Sequence, residues 1–158
     1  MSRRNAPKRA KRAFGLPPSQ SSGYLVRDAH RAFQRVLERR IARFGVTRGH
    51  WYFLRVLWIR DGLTQRELSA RVGMMEPTTV IALKSMEKAG LVRRVRSRED
   101  ARRAHVWLTP LGRRLERQLL PVALRIVREA EKGIGRRNVA VFREVIARMT
   151  KNLDRLED

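Results

Sequence analysis

Cysteine is absent from the 158-residue sequence, which excludes disulfides, thiolate metal sites and thiol-based redox sensing. Acidic residues are scarce: 15 Asp and Glu stand against 37 Lys and Arg, a formal charge of +22. No apolar run approaches the roughly 20 residues needed to cross a bilayer. The paired arginines of "MSRRNAPKRAKRAFG" are followed by no apolar stretch of the kind an export signal carries. The expected compartment is cytoplasmic, nucleoid-associated, with no membrane partner. The three histidines, His30, His50 and His105, lack metal-ligand spacing, and no Gly-rich phosphate loop or paired-carboxylate motif occurs. The sequence therefore predicts no enzyme, no metal site and no cofactor.

What is present is strong positive charge on a chain that can fold. Hydrophobic residues make up 42%, enough for one domain or one subunit of an oligomer. An excess of basic charge speaks to partners rather than to fold, and arginine, which forks onto phosphate and guanine, dominates over lysine. Residues 1–22 carry Arg3, Arg4, Lys8, Arg9, Lys11 and Arg12, then Pro17, Pro18 and a serine-rich stretch. Nothing there can bury a face, so a disordered basic arm is expected. It is either a solvated tail or an arm that enters a DNA groove or packs on a partner subunit.

From Ser22 a helical period appears. Val26, Ala29, Phe33, Val36, Leu37, Ile41 and Phe44 recur at three- and four-residue steps until Gly45. Thr47 can cap a second helix to about Arg60, ended by "RDG". In "LTQRELSAR" (63–71), Thr64 and Glu67 have capping-box spacing, and Leu63 and Leu68 sit where a hydrophobic staple would close. Gly73 breaks that short helix, and Pro77 suits the first turn of the next, expected over about 77–88. There Thr79, Ala82, Leu83 and Met86 make the inward stripe, leaving Thr78, Ile81, Lys84, Ser85 and Lys88 outward. "LVRRV", a polar stretch over 96–103 and the alternating "AHVWLT" predict a two-stranded hairpin with a long charged tip. Helical period returns from Pro110, with a break at "KGIGRRN".

Two short helices joined by a tight turn and followed by a hairpin form a winged helix-turn-helix. The expected fold class is mainly α, with flanking helices before and after the winged unit. Such a unit sets its second helix in the major groove and its hairpin tip on phosphates or the minor groove. The stretch "LTQRELSARVGMMEPTTVIALKSMEKAGLVRRVRSREDARRAHVWLTPLGRRL" resembles the MarR family of bacterial transcriptional regulators. The resemblance is carried by "LTQRELSARVG", "SMEKAGLV", the Asp100-x-Arg102 element and "LTPLG", and it extends over about 24–156. It implies an obligate homodimer with interleaved terminal helices, and the apolar stripes of those helices, too wide for a small winged domain to cover, make this plausible independently. The expected segments are the arm (1–22), a dimerisation helix (23–45), the DNA-binding unit (46–109) and C-terminal dimerisation helices (110–158). A symmetric dimer predicts a pseudo-palindromic operator in double-stranded DNA.

The DNA-facing candidates follow from this placement. Pro77, Thr78, Ile81, Lys84 and Ser85 are the outward set of the recognition helix, and Thr78 matches a position where the family usually has a small hydroxyl residue. Ile81 stands where family members often carry a polar or basic residue; it either packs on thymine methyl groups or rotates into the core. Lys84 and Lys88 and, more weakly, Arg66 and Arg71 on the preceding helix suit phosphates. In the wing, Arg102 is the expected essential arginine, with Arg96, Arg98 and Arg103 as phosphate ligands. Asp100 is held ionised by its arginine neighbours and can aim Arg102 before DNA arrives, while Glu99 is a solvated neighbour. Trp107, behind the tip, either packs or stacks on a base.

Seven of the ten aromatic residues fall within 24–58. They are read as core and dimer interface, but the resemblance also implies effectors bound between dimerisation helices and winged domain. His30, His50 and Trp51, with Arg31 or Arg35 as anionic anchors, are candidates for an aromatic carboxylate or its coenzyme A thioester. A repressor released by such an effector is the leading expectation. The alternatives are a nonspecific DNA-architectural protein and an RNA- or ribosome-associated winged-helix protein.

Overall fold

The computed structural model describes residues 17–96 and 104–156. The chain divides into two compact units, residues 1–35 and 36–158. This division falls inside the segment that the sequence assigns whole to dimerisation. In the first unit a 3-10 turn, Pro18–Gln20, precedes α1 (Ser22–Ile41), whose residues from Val36 onward count with the second. Tyr24, Leu25, Val26 and Phe33 of α1 are exposed, and Arg27 lies over the Tyr24 ring while pairing with Asp28.

The second unit begins with the end of α1. The helix stops at Ile41, short of the expected Phe44: the chain tightens into a 3-10 turn, Ala42–Phe44, and Gly45 closes it in the left-handed conformation. Thr47 then caps α2 (Arg48–Ile59) by accepting the His50 N–H. The remaining helices are α3 (Gln65–Val72), α4 (Glu76–Lys88), α5 (Pro110–Ala130) and α6 (Arg136–Asp154). Three strands, β1 (Leu63–Thr64), β2 (Val92–Arg96) and β3 (Ala104–Leu108), form an antiparallel sheet in the order β1-β3-β2.

The expected hairpin is present, with Val92 opposite Leu108 and Arg96 opposite Ala104. Two details differ. Arg96 belongs to the strand rather than to the polar tip, and Leu63–Thr64 adds a third strand that pairs with Val106 and His105. A two-residue strand is too short to show alternation in sequence. Its position is set by the residues before it: Gly62 bonds to the Val106 carbonyl, and a Cβ on Gly62 would sit 2.4 Å from the Trp107 ring. Gly62 also needs its positive φ of 72°, so only glycine fits this approach without strain.

The capping box at Thr64 forms as its spacing predicts. The Glu67 N–H donates to Thr64 Oγ1 at 3.2 Å, and the Thr64 N–H donates to Glu67 Oε2 at 2.8 Å. The Thr64 hydroxyl, which donates to Glu67 Oε2 at 2.7 Å, and then the Thr64 N–H hold the Glu67 carboxyl below its usual range. Leu63 and Leu68, the staple positions, are both fully buried. Thr64→Ala is expected to cost about 1 kcal/mol, which a thermal melt would register as a drop of roughly 2–4 °C. The core beneath is assembled from Ile41, Phe53, Leu54, Leu57, Leu68, Leu83, Met86, Val106 and Leu119, so α2 to α5 and the sheet share one interior.

Candidate nucleic-acid interface

α4 is held from behind by one polar residue of α3 and one of its own. Gly73, left-handed at φ 69°, ends α3. The turn that follows is pinned where the buried Ser69 hydroxyl donates to the Met74 carbonyl, and the Thr79 hydroxyl donates to the Met75 carbonyl at 3.2 Å. Thr79, Leu83 and Met86 are fully buried, with Ala82 packed beside them. That fixes the rotation of α4. Pro77, Thr78, Ile81, Lys84, Ser85 and Lys88 are all exposed, as are Arg66 and Arg71 on α3. Of the two placements open for Ile81, the structure adopts the outward one, at 71% exposure. Met75, at the start of α4, is a further exposed apolar residue on this side that sequence reasoning did not single out.

The wing root is tied to this helix by a pair that sequence reasoning missed. Glu87, near the end of α4, receives the Arg94 backbone N–H at 3.1 Å and its Nε–H at 2.9 Å, with Arg94 Nη2 2.6 Å away. The two residues are seven apart and joined through a turn, so no helical or strand period brings them together in sequence. The Arg94 hydrogen bonds, helped by its charge, hold the Glu87 carboxyl below the usual carboxylate range. A depressed carboxyl stabilises the fold above its unfolded pKa, and that contribution is lost as pH falls through the folded value. The stability advantage of wild type over Glu87→Gln is therefore expected to be level near neutrality and to shrink below about pH 4.5. The pair is partly exposed, so the advantage should reach no more than about 1 kcal/mol. Urea unfolding at pH 7 and pH 3.5 measures it, and a pH-independent difference would contradict this role for the pair.

A second missed residue, Asp61, anchors the other side of the sheet. Its Oδ1 accepts from the Gly62 N–H at 3.0 Å and from the Leu108 N–H at 2.9 Å, while Oδ2 pairs with Arg113 of α5 at 2.7 Å. The Asp-Gly dipeptide was the signal, legible as a turn but not as a junction of three elements. Trp107 lays its ring against Gly62 and stays partly exposed, opposite Arg93 across the ladder.

Arg96 ends β2 in an exposed position. Arg98, Asp100, Arg102 and Arg103, with Glu99, lie outside the described residues, and so does the expected Asp100–Arg102 pairing. The effector candidates divide between the two units. His30, Arg31 and Arg35 are exposed on α1, His30 contacting Gln34 one turn on. His50 and Trp51 are each only 6% exposed and already engaged. Trp51 meets Trp58 edge to face at 5.8 Å between centroids, with Arg55 over its ring. His50 Nε2 lies 2.9 Å from Ser85 Oγ, and burial lowers the imidazole pKa. Among the described residues no group of three His, Cys, Asp or Glu could hold a metal ion, and no helix is long and apolar enough to cross a membrane.

A pinned helix-turn-helix with an outward reading face, backed by a sheet whose β2–β3 hairpin stands beside it, defines a winged helix-turn-helix protein. A MarR family model matches residues 44–103. Over 93 residues the chain is 34% identical to the HTH-type transcriptional regulator TtmR of Methylorubrum extorquens, a match covering 59% of this chain and 48% of that regulator, about half its length. The crystal structure of transcriptional regulator PA3341 is 32% identical with a TM-score of 0.75, covering 85% of this chain and 99% of that one. The PcaV transcriptional regulator of Streptomyces coelicolor, solved in complex with its natural ligand, is 25% identical with a TM-score of 0.74, covering 87% and 96%. The chain belongs to the MarR family of transcriptional regulators.

Proposed function

We propose that the chain works as a homodimeric repressor that reads a pseudo-palindromic operator and is released by a small aromatic acid or acyl-coenzyme A effector. The observation that carries the dimer is α6, a 19-residue helix without one buried residue. Val141, Phe142, Val145 and Leu153 line one of its faces, Phe142 at 61% exposure. Leu124 and Val127 of α5 are uncovered as well. An apolar stripe of this length needs a covering surface. A second copy supplies an identical one, and two-fold pairing is the commonest solution for soluble chains.

Two-fold symmetry gives the operator its form, with half-sites about one helical turn apart. Pro77, Thr78, Ile81 and Ser85 are the base-side contacts in this reading, with Ile81 on thymine methyl groups. Lys84, Lys88, Arg66, Arg96 and the wing arginines Arg98, Arg102 and Arg103 take phosphates, and Asp100 orients Arg102. Each phosphate contact removed should lower the salt slope of binding by about 0.9. Residues 46–109 form the DNA-binding unit, and 23–45 with 110–158 the dimerisation region. Release by an effector draws support from ligand-bound PcaV. On this chain His30, Arg31 and Arg35 are the accessible candidates for binding it, whereas His50 and Trp51 would first have to leave their present partners.

Capture of fragmented genomic DNA in moderate salt tests the reading. One or a few palindromic sites are expected. Indiscriminate capture, or a preference for RNA, would overturn it in favour of a charge-driven architectural or RNA-associated role. An effector must both raise the melting temperature and weaken operator binding, because differential affinity acts on both equilibria.

A further inference from the structure

The His50–Ser85 contact joins a buried imidazole on α2 to the hydroxyl of Ser85, an exposed residue on the outward face of α4. Ser85 shares that face with Thr78, Ile81 and Lys88, at helical steps of three, four and three residues. We propose that His50 is a positioning residue for DNA recognition: it donates its Nε2–H to Ser85 Oγ, which leaves the serine O–H to donate to an acceptor on the operator. The inference rests on the operator-binding reading above and adds a residue and a hydrogen-bond polarity to it.

The polarity follows from what surrounds the ring. Neutral imidazole carries one proton, on Nδ1 or on Nε2. Among the described residues, buried Nδ1 has no hydrogen-bond partner. A proton placed there would be a buried N–H without an acceptor, and Nε2 would then consume the serine proton. With the proton on Nε2, the unmatched group is only a lone pair, which interiors tolerate better than an orphaned N–H. Burial disfavours the doubly protonated ring, in line with the direction of its pKa shift. Backbone geometry makes the arrangement stiff. His50 sits in the first turn of α2, where its own N–H is held by Thr47, and α4 cannot rotate while Thr79, Leu83 and Met86 fill the core behind it.

The difference matters at the DNA surface. A serine whose proton is consumed by histidine can only accept, and it is useless to a phosphate oxygen, which has no proton to give. A serine that accepts from histidine can donate to a phosphate oxygen or to a purine N7, guanine O6 or thymine O4 in the major groove. Fixing the hydroxyl before DNA arrives also lowers the ordering cost of the contact.

The test uses the full chain and the operator selected by wild type. Ser85→Ala is expected to weaken binding about tenfold, the scale of a hydrogen bond to a charged group. His50→Leu should lose a similar factor, and the double variant should be no weaker than either single one. His50→Gln, which can donate an amide N–H, should restore part of the loss, a rescue that lost packing alone would not give. Long-range 1H–15N correlation of the imidazole in wild type should report the Nε2–H form, and this readout does not depend on any variant folding. Methylphosphonate at single phosphates, with 7-deazapurine at single purines, 2-aminopurine for single guanines and 5-methyl-2-pyrimidinone for single thymines, separates phosphate from base acceptors, since the relevant substitution should penalise wild type but not Ser85→Ala. The proposal is overturned by wild-type affinity in Ser85→Ala, by additive losses in the double variant, by an Nδ1–H ring, or by no substitution in DNA that distinguishes the two proteins. Failure of wild type to select any operator would instead remove the functional reading on which it stands.

Discussion

Gly112→Ala is expected to lower the unfolding temperature by roughly 4–8 °C, from a cost of about 2 kcal/mol. In an exposed helix the same change would help, because alanine exceeds glycine in helix propensity by about 1 kcal/mol. Here position decides the sign. Gly112 lies in the first turn of α5, and a Cβ on it would stand 2.2 Å from the Leu91 carbonyl oxygen and 3.1 Å from Leu108. The nearer atom is backbone, so no side-chain rotation relieves the clash. That carbonyl also accepts the Thr109 N–H at 3.0 Å and its hydroxyl at 3.2 Å. The Gly112 N–H reaches Thr109 Oγ1, and its own carbonyl receives the Trp58 indole N–H at 2.9 Å. Pushing the helix away strains the cap, the start of β2 and the α2 contact together. A melting temperature equal to or above wild type would show that the approach is looser than these distances.

Phe142→Glu combined with Val145→Glu is expected to convert the proposed dimer to a monomer and to weaken the proposed operator binding by roughly a hundredfold or more. Both side chains are substantially exposed in the single chain. The substitutions should therefore leave its fold and helical content intact while placing two charges per chain in a surface that a second copy must desolvate. The loss at DNA follows from valency: one protomer reaches one half-site and forgoes the gain of a linked second contact. Light scattering coupled to gel filtration reports the mass, and a binding titration reports the affinity. A double variant that remains dimeric would place the subunit contact elsewhere. A monomer that binds as tightly as wild type would sever dimerisation from recognition.

Much of this molecule was legible because its signals are local. Thr64 and Glu67 announce a helix start at fixed spacing, Gly45 and Gly73 announce stops, and the stripe of Thr79, Leu83 and Met86 orients the reading helix. What escaped detection is stabilised across the chain. The strand at Leu63–Thr64 exists because β3, some forty residues on, offers it a ladder. Glu87 reads as one more charge on a helix until the turn brings Arg94 beside it. His50 lies among aromatics in the sequence, and nothing local signals its contact with Ser85, thirty-five residues away. Periodicity reports which face is buried, but not which polar atom waits on the other side.

The Glu87–Arg94 clamp has a kinetic consequence. Three contacts from one carboxylate bind the root of the wing to the end of the recognition helix. In the proposed DNA complex, withdrawing the helix from the groove while leaving the strand behind therefore costs this contact, about 1 kcal/mol. On that reading the contact favours joint departure of the two footholds, and release of a half-site is expected to lie closer to a single exponential decay in wild type than in Glu87→Gln. Loosening that carboxylate would give each foothold its own residence time.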